Sequence, residues 1–151
     1  LFPYTTLFRS RGRLRSFLYD TRTARKDNVS STGHAAGGTS GQPTPALHAP
    51  RIEGTTPLEE MVRIVDRGVR VRRFSGNINP VNGIFSGLVK GGHLLEDGTV
   101  SHPLTDTMIN STLDDLLAGI VAVSHETEPT SWGPLPWLLV SNIAIVGKSQ
   151  R

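Results

Sequence analysis

Two dipeptides constrain this chain more than any other feature: Asn82-Gly83 and Asp97-Gly98. Both adopt the left-handed backbone of a tight hairpin turn readily, and each stands between short runs of strand character. Upstream of the first, VRVRRF alternates apolar and basic residues, so Arg70 and Arg72 point away from Val69 and Val71. Downstream, IFSGLVK, GGHLLE and TVSHPL predict three strands, with Asp97-Gly98 turning the last two. Sixteen Gly and ten Pro in 151 residues favour short strands and turns over a helix bundle. The expected fold is α+β: a strand-rich domain with a curled, mainly antiparallel sheet and two short covering helices.

The first covering helix is expected near residues 57–67. Thr56 suits the N-cap, Pro57 the first helical position, and Glu59 can complete a capping box. Leu58, Met61, Val62 and Val65 share a face, and Gly68 is placed to end the helix in a left-handed conformation. The second is expected near 111–118, with Asp114 and Asp115 in its first turn and Leu113, Leu116, Leu117 and Ile120 along one side. Residues 17–27 suggest a further short helical stretch, capped near Asp20 or Thr21. Residues 120–124 and 137–146 read as buried strands separated by the loop SHETEPTSWGPLP. Leu135 to Val146 is apolar on both sides of its alternation, which suits a strand buried on both faces. Residues 30–56 form a long loop, where His34 and His48 lack the spacing of metal ligands.

Residues 1–10, LFPYTTLFRS, have no signal-peptide pattern. They are what a common sequencing-library adaptor would encode. They are read as adaptor-derived and expected to pack poorly, leaving 11–151 as a fragment of a longer protein.

The chain has no cysteine, which excludes disulfides, thiolate nucleophiles and Cys-ligated metals. No apolar run reaches the ~18 residues of a membrane span. Gly147-Lys148-Ser149 ends like a phosphate-binding loop, but Asn142 stands where its first glycine is needed. His125-Glu126 begins like a zinc-protease helix, but Pro129 and Thr130 stand where a second His would be. Ser75 and Ser86 precede glycine outside any Gly-x-Ser-x-Gly frame. With Asp97-Gly98 as a two-residue turn, Glu96 pairs with Thr99 and His93 falls opposite His102. Two ligands are fewer than the three a catalytic zinc takes, so His93 and His102 are weak metal candidates. No intrinsic metal or catalytic set is expected.

Charge divides unevenly. Residues 1–73 carry 13 Lys/Arg against 6 Asp/Glu, and residues 74–151 carry 3 against 7. A nucleic-acid surface would need Arg11, Arg13, Arg15, Arg22 and Arg25 to converge with Arg70, Arg72 and Arg73.

The order of these pieces resembles one family. FLYDTRTARKDNVSSTGHA is similar to the segment that opens the C-terminal region of TldD/PmbA proteins. FSGNINPVNGIFSGLVKGGHLLEDGTVSHPLTDTMINSTLDDLLAGIVAV resembles their core signature, and LPWLLVSNIAIVG their closing strand and terminal glycine. The resemblance covers residues 12–147. It implies a cytoplasmic metalloprotease that clips peptides in an assembly of two related subunits. In that family the zinc-bearing subunits carry a His-Glu-x-x-x-His helix upstream and a Cys ligand before the closing strand. The corresponding loop here, SHETEPTSWGPLP, has no Cys, so no family ligand transfers to any residue. The chain is more similar to the PmbA-type subunit, which does not hold the metal.

The resemblance therefore implies a C-terminal domain that forms a subunit interface and one wall of a peptide cleft. Its partner would be a TldD-like catalytic subunit carrying zinc, or a second copy. Phe74, Ser75, Gly76, Asn77 and Asn79, with Phe85, Ser86 and Gly87, are the cleft or interface candidates, because Gly-rich sheet edges accept an added strand. Trp132 and Trp137 are candidate interface anchors. The alternative is a nucleic-acid-associated factor, following the family's older description as a modulator of DNA gyrase and the basic N-terminal half.

Overall fold

The structure, a computed structural model, describes residues 9–10, 13–14, 16–37, 41–79 and 81–147. Two compact units divide the chain, residues 1–50 and 51–151. The expectation that residues 1–10 pack poorly falls mostly outside the described residues. Its last two, Arg9–Ser10 (β1), pair antiparallel with Arg13–Leu14 (β2).

In the first unit, helix α1 (Thr21–Lys26) starts where the sequence placed it. The Asp20 carboxylate accepts the Thr23 N–H at 2.6 Å, and the Thr23 hydroxyl accepts the Asp20 N–H at 3.1 Å, a closed capping box. Ala24 is the buried face of this helix. Farther on, β3 (Ala35–Ala36) pairs with β4 (Thr44–Pro45). The Thr23 backbone N–H, and after it the Thr23 hydroxyl, hold the Asp20 carboxyl below the usual aspartate range. A depressed carboxyl stabilises the fold above its unfolded pKa, and that stability is lost as pH falls through the folded one. Asp20→Ala should therefore lower the thermal midpoint at neutral pH. The gap to the parent should close in acid below the carboxylate range, which melting curves at the two pH values check.

The second unit begins with α2 (Leu58–Arg63) and β5 (Arg67–Arg70), followed by β6 (Arg73–Ile78), β7 (Ile84–Lys90), β8 (Gly92–Glu96), β9 (Thr99–Leu104) and β10 (Met108–Thr112). It closes with α3 (Leu113–Ala118), β11 (Ile120–Thr130), β12 (Gly133–Val140) and β13 (Ala144–Val146). Every ladder is antiparallel. The α+β class and the strands 84–90 and 99–104 match expectation. Asp97 and Gly98 turn between β8 and β9 with φ of 49° and 72°, as their left-handed preference requires.

Other expectations are corrected. One curled sheet becomes separate ladders: a four-stranded sheet ordered β13-β10-β7-β6, a three-stranded sheet β5-β8-β9 and the β11-β12 hairpin. VRVRRF breaks at Val71–Arg72, and its two halves join different sheets. The described residues hold three short helices, the two expected covering ones and α1. Helix α2 stops at Arg63 instead of residue 67. The turn N–H groups of Asp97 and Gly98 take the carbonyls of Asp66 and Val65, drawing the chain into β5, so Gly68 lies within a strand.

The Thr56–Glu59 capping box does not form either. The backbone of Thr56 is engaged with β11: its N–H donates to Val123 O, and its carbonyl accepts the His125 N–H. Glu126, 68 residues along the chain, accepts the Leu58 N–H at 2.8 Å instead. Its own backbone N–H, and then that of Leu58, hold the Glu126 carboxyl below its usual range. Glu126→Ala should leave the start of α2 uncapped, and hydrogen exchange at Leu58 to Met61 should then quicken while exchange in β7 stays unchanged.

The stretch SHETEPTSWGPLP is no loop. Residues 120–140 form one long hairpin that turns at Ser131–Trp132. In a two-residue hairpin Thr130 and Gly133 exchange hydrogen bonds. The next pair, Pro129 and Pro134, then falls at a position that needs no N–H. The segment 137–146 is likewise two strands. β12 ends at Val140, Asn142 turns with φ 61°, and β13 pairs with β10. Nor is Leu135 to Val146 buried on both faces: Ile145 is 44% and Val146 60% exposed.

Buried apolar side chains of this unit are Met61, Phe85, Val89 and Leu95.

Candidate functional site: an open sheet edge and face

Strand parity sorts the candidates of β6 and β7 into two groups. Ser75, Asn77 and Ser86 are exposed on one face; Phe74 and Phe85 lie on the other, where Phe85 is buried. Phe74 meets Phe85 edge to face at 5.7 Å. Gly76 and Gly87 are directly opposed. A Cβ on Gly76 would lie 2.6 Å from the Phe74 ring and 2.5 Å from the Gly87 Cα. The glycine pair is therefore the seat of the Phe74 ring.

Asn79 closes the hairpin. Its N–H donates to Ile84 O at 2.8 Å, its carbonyl accepts the Gly83 N–H, and its side chain accepts the Val81 N–H. The 79–84 bond sets the phase of the ladder. Asn77, Ser75 and Arg73 exchange hydrogen bonds with β7, while Phe74, Gly76 and Ile78 turn their N–H and C=O groups outward. No described strand pairs with that outer edge.

The exposed face continues across β10 and β13. Asn77, Ser86, Asn110 and Ala144 form one row, and the Ser86 hydroxyl donates to Asn110 Oδ1. Ser75, Leu88, Met108 and Val146 form the next, its last three members 38%, 38% and 60% exposed. Sequence reasoning missed Asn110, Met108 and Val146. The parity of MINST and AIV against IFSGLVK would have found them, once the pairing of these strands was known.

The two tryptophans lie outside this sheet, on the β11-β12 hairpin. Trp132 sits at its turn, 60% exposed. Trp137 is half-buried under the Arg70 guanidinium, 4.5 Å from its ring centre.

Ser124, His125 and Glu126 are neighbours in sequence, but they do not make a nucleophile. Ser124 is fully buried; its hydroxyl donates to Glu126 O at 2.6 Å and accepts the Trp137 N–H at 2.7 Å. His93 faces Pro103 rather than His102. A bulge between His93 and Leu95 shifts the register beside Pro103, which has no N–H to give the ladder. The His102 ring nitrogen instead lies 3.1 Å from the Ser101 hydroxyl. In the first unit His34 stacks on His48 at 6.2 Å. Among the described residues no three His, Asp or Glu side chains gather as metal ligands, and the sequence has no Cys.

Comparison with known proteins gives a coherent set. A family model described as "PmbA/TldA metallopeptidase C-terminal domain" matches residues 5–147. The chain is 27% identical over 139 residues to Metalloprotease PmbA of Escherichia coli and 26% identical to the Metalloprotease PmbA homolog of Buchnera aphidicola. It covers 91% and 90% of itself in these matches but only 29% of each relative. Among solved structures it is similar to TldE from Thermococcus kodakarensis: TM-score 0.77 and 25% identity, over 90% of this chain and 32% of that one. It is also similar to a Thermotoga maritima protein named as a modulator of a DNA gyrase: TM-score 0.76 and 28% identity, over 92% and 32%.

Proposed function

This chain belongs to the TldD/PmbA metallopeptidase family as its C-terminal domain, and from that premise we propose that it forms a subunit interface and one wall of a peptide cleft. It would act in peptide proteolysis beside a partner subunit that holds the zinc. The observation that carries this reading is the four-stranded sheet. One face leaves Leu88, Met108 and Val146 exposed, and one edge carries backbone groups that no described strand pairs. An extended peptide can add to such an edge through its main chain. The metalloprotease name of the relatives and the family's peptide chemistry agree with that substrate class. In this reading the protein works in the cytoplasm.

The partner is a TldD-like catalytic subunit, and the exposed Trp132 is the proposed anchor, since truncated interface Trp residues often cost ~2 kcal/mol or more. Sedimentation velocity tests this. The chain mixed with a zinc-bearing TldD-type relative should form a new, heavier species, weakened at least about tenfold by Trp132→Ala. If no mixed species forms at any concentration tested, the interface role fails; if the chain associates only with itself, the partner is a second copy.

A further inference from the structure

The open edge of β6 carries a charge pattern that its own fold does not explain. Arg73 on β6 and Lys90 on β7 are directly opposed and exposed on the same face. Like charges in opposed positions of a ladder repel one another. Neither makes an ion pair among the described residues, where Arg63 pairs with Glu59. Asp106, next to the Thr107 that bonds Val89, has φ 52° and makes an ion pair with neither. Arg72 adds a third exposed cation beside them, whereas Arg70 is committed to Trp137. Positive charge therefore collects at one end of the edge, next to the outward N–H and C=O groups of Phe74, Gly76 and Ile78. Farther along β6 the same face carries the neutral Ser75 and Asn77.

We propose that the β6 edge binds an extended acidic peptide as a fifth strand, with a carboxylate side chain set against Arg73 and Lys90 that fixes its register. This rests on the peptide-cleft reading and adds a substrate class to it. The added strand would place alternate side chains on the exposed face, and the one opposite Arg73 would lie ~5 Å from it. There the carboxylate turns a repulsive pair into a bridged one. Single-stranded nucleic acid suits the same cations less well, because it needs aromatic faces to stack on. Phe74 is packed against Phe85 and the glycine pair, and Trp137 lies under Arg70.

The test uses the 151-residue chain and fluorescent peptides of about eight residues, a common strand length, alternating Thr and Val. One carries a central Glu, one Gln in its place, and one Glu with alternate amides N-methylated. The Glu peptide should bind about five- to tenfold more tightly than the Gln peptide, the worth of one or two exposed ion pairs. The difference should shrink with added salt and vanish in the double variant Arg73→Gln, Lys90→Gln, while Arg73→Lys should keep it. N-methylation should abolish binding. Equal affinity for Glu and Gln peptides in the parent chain would overturn the charge selection and leave strand addition standing. Binding that survives N-methylation would overturn strand addition. If no peptide binds, the peptide-cleft reading falls with the proposal, and tighter binding of a thymidine oligonucleotide would reassign the patch to nucleic acid.

Discussion

Gly87→Ala should destabilise the second unit by more than about 3 kcal/mol, at the upper end of what overpacking costs. The added Cβ would stand 2.5 Å from the Gly76 Cα, 2.6 Å from the Ser75 carbonyl oxygen and 2.7 Å from the Phe74 ring. Two of these three obstacles are backbone, so no rotamer change relieves them. The β6 and β7 strands would have to separate where they approach most closely, and Phe74 would lose its seat against Phe85. Phe74→Ala in the same chain should not restore stability, because the backbone clashes remain. Gly41→Ala, where a Cβ meets nothing within 4 Å, should stay within about 0.5 kcal/mol of the parent. Urea unfolding followed by circular dichroism gives both values. A mild Gly87→Ala would mean that the two strands lie farther apart than described.

Ser124→Ala should cost about 2–6 kcal/mol, the sum of two part-buried groups left without partners at about 1–3 kcal/mol each. The Ser124 hydroxyl bridges the register shift between Val123 and Thr127, donating a hydrogen bond to the Glu126 carbonyl and accepting one from the Trp137 backbone N–H. The loss should reach beyond the bulge, because Thr56 bridges to Ser124, and Glu126 caps α2. Ser124→Thr, which keeps the hydroxyl, should recover part of the stability. If Ser124→Ala melts like the parent, the bulge is held by something other than this hydroxyl.

The legible parts of the fold were those decided by neighbours in sequence. Asp97-Gly98 set its turn because both residues accept positive φ, and Asp20 capped α1 because Thr23 stands three residues on. The illegible parts were decided by distant backbone. Thr56 had a sound local capping box, but its N–H and carbonyl were drawn to β11. Pro129, Pro134 and Pro136 read as loop formers until their ladder positions proved to need no N–H. His93 and His102 followed a correct two-residue turn and still missed each other, because a bulge that sets Ser101 and His102 of β9 against Leu94 is invisible to counting. The candidate site was half legible. Glycine and phenylalanine at alternate positions marked β6 and β7, but the face they share with Asn110, Met108 and Val146 depends on the pairing of β10 and β13. The unpaired cations Arg73 and Lys90 became notable only when the ladder set them side by side.

We propose that this domain contributes an interface and a peptide cleft beside a metal-bearing partner. The most direct test follows cleavage of an unstructured peptide by the chain alone, by a zinc-bearing TldD-type relative alone, and by their mixture, each with and without a chelator. The chain alone should not cleave, the mixture should cleave faster than the relative, and chelator should abolish all cleavage. Cleavage by the chain alone at the rate of the mixture, unchanged by chelator, would contradict the proposal.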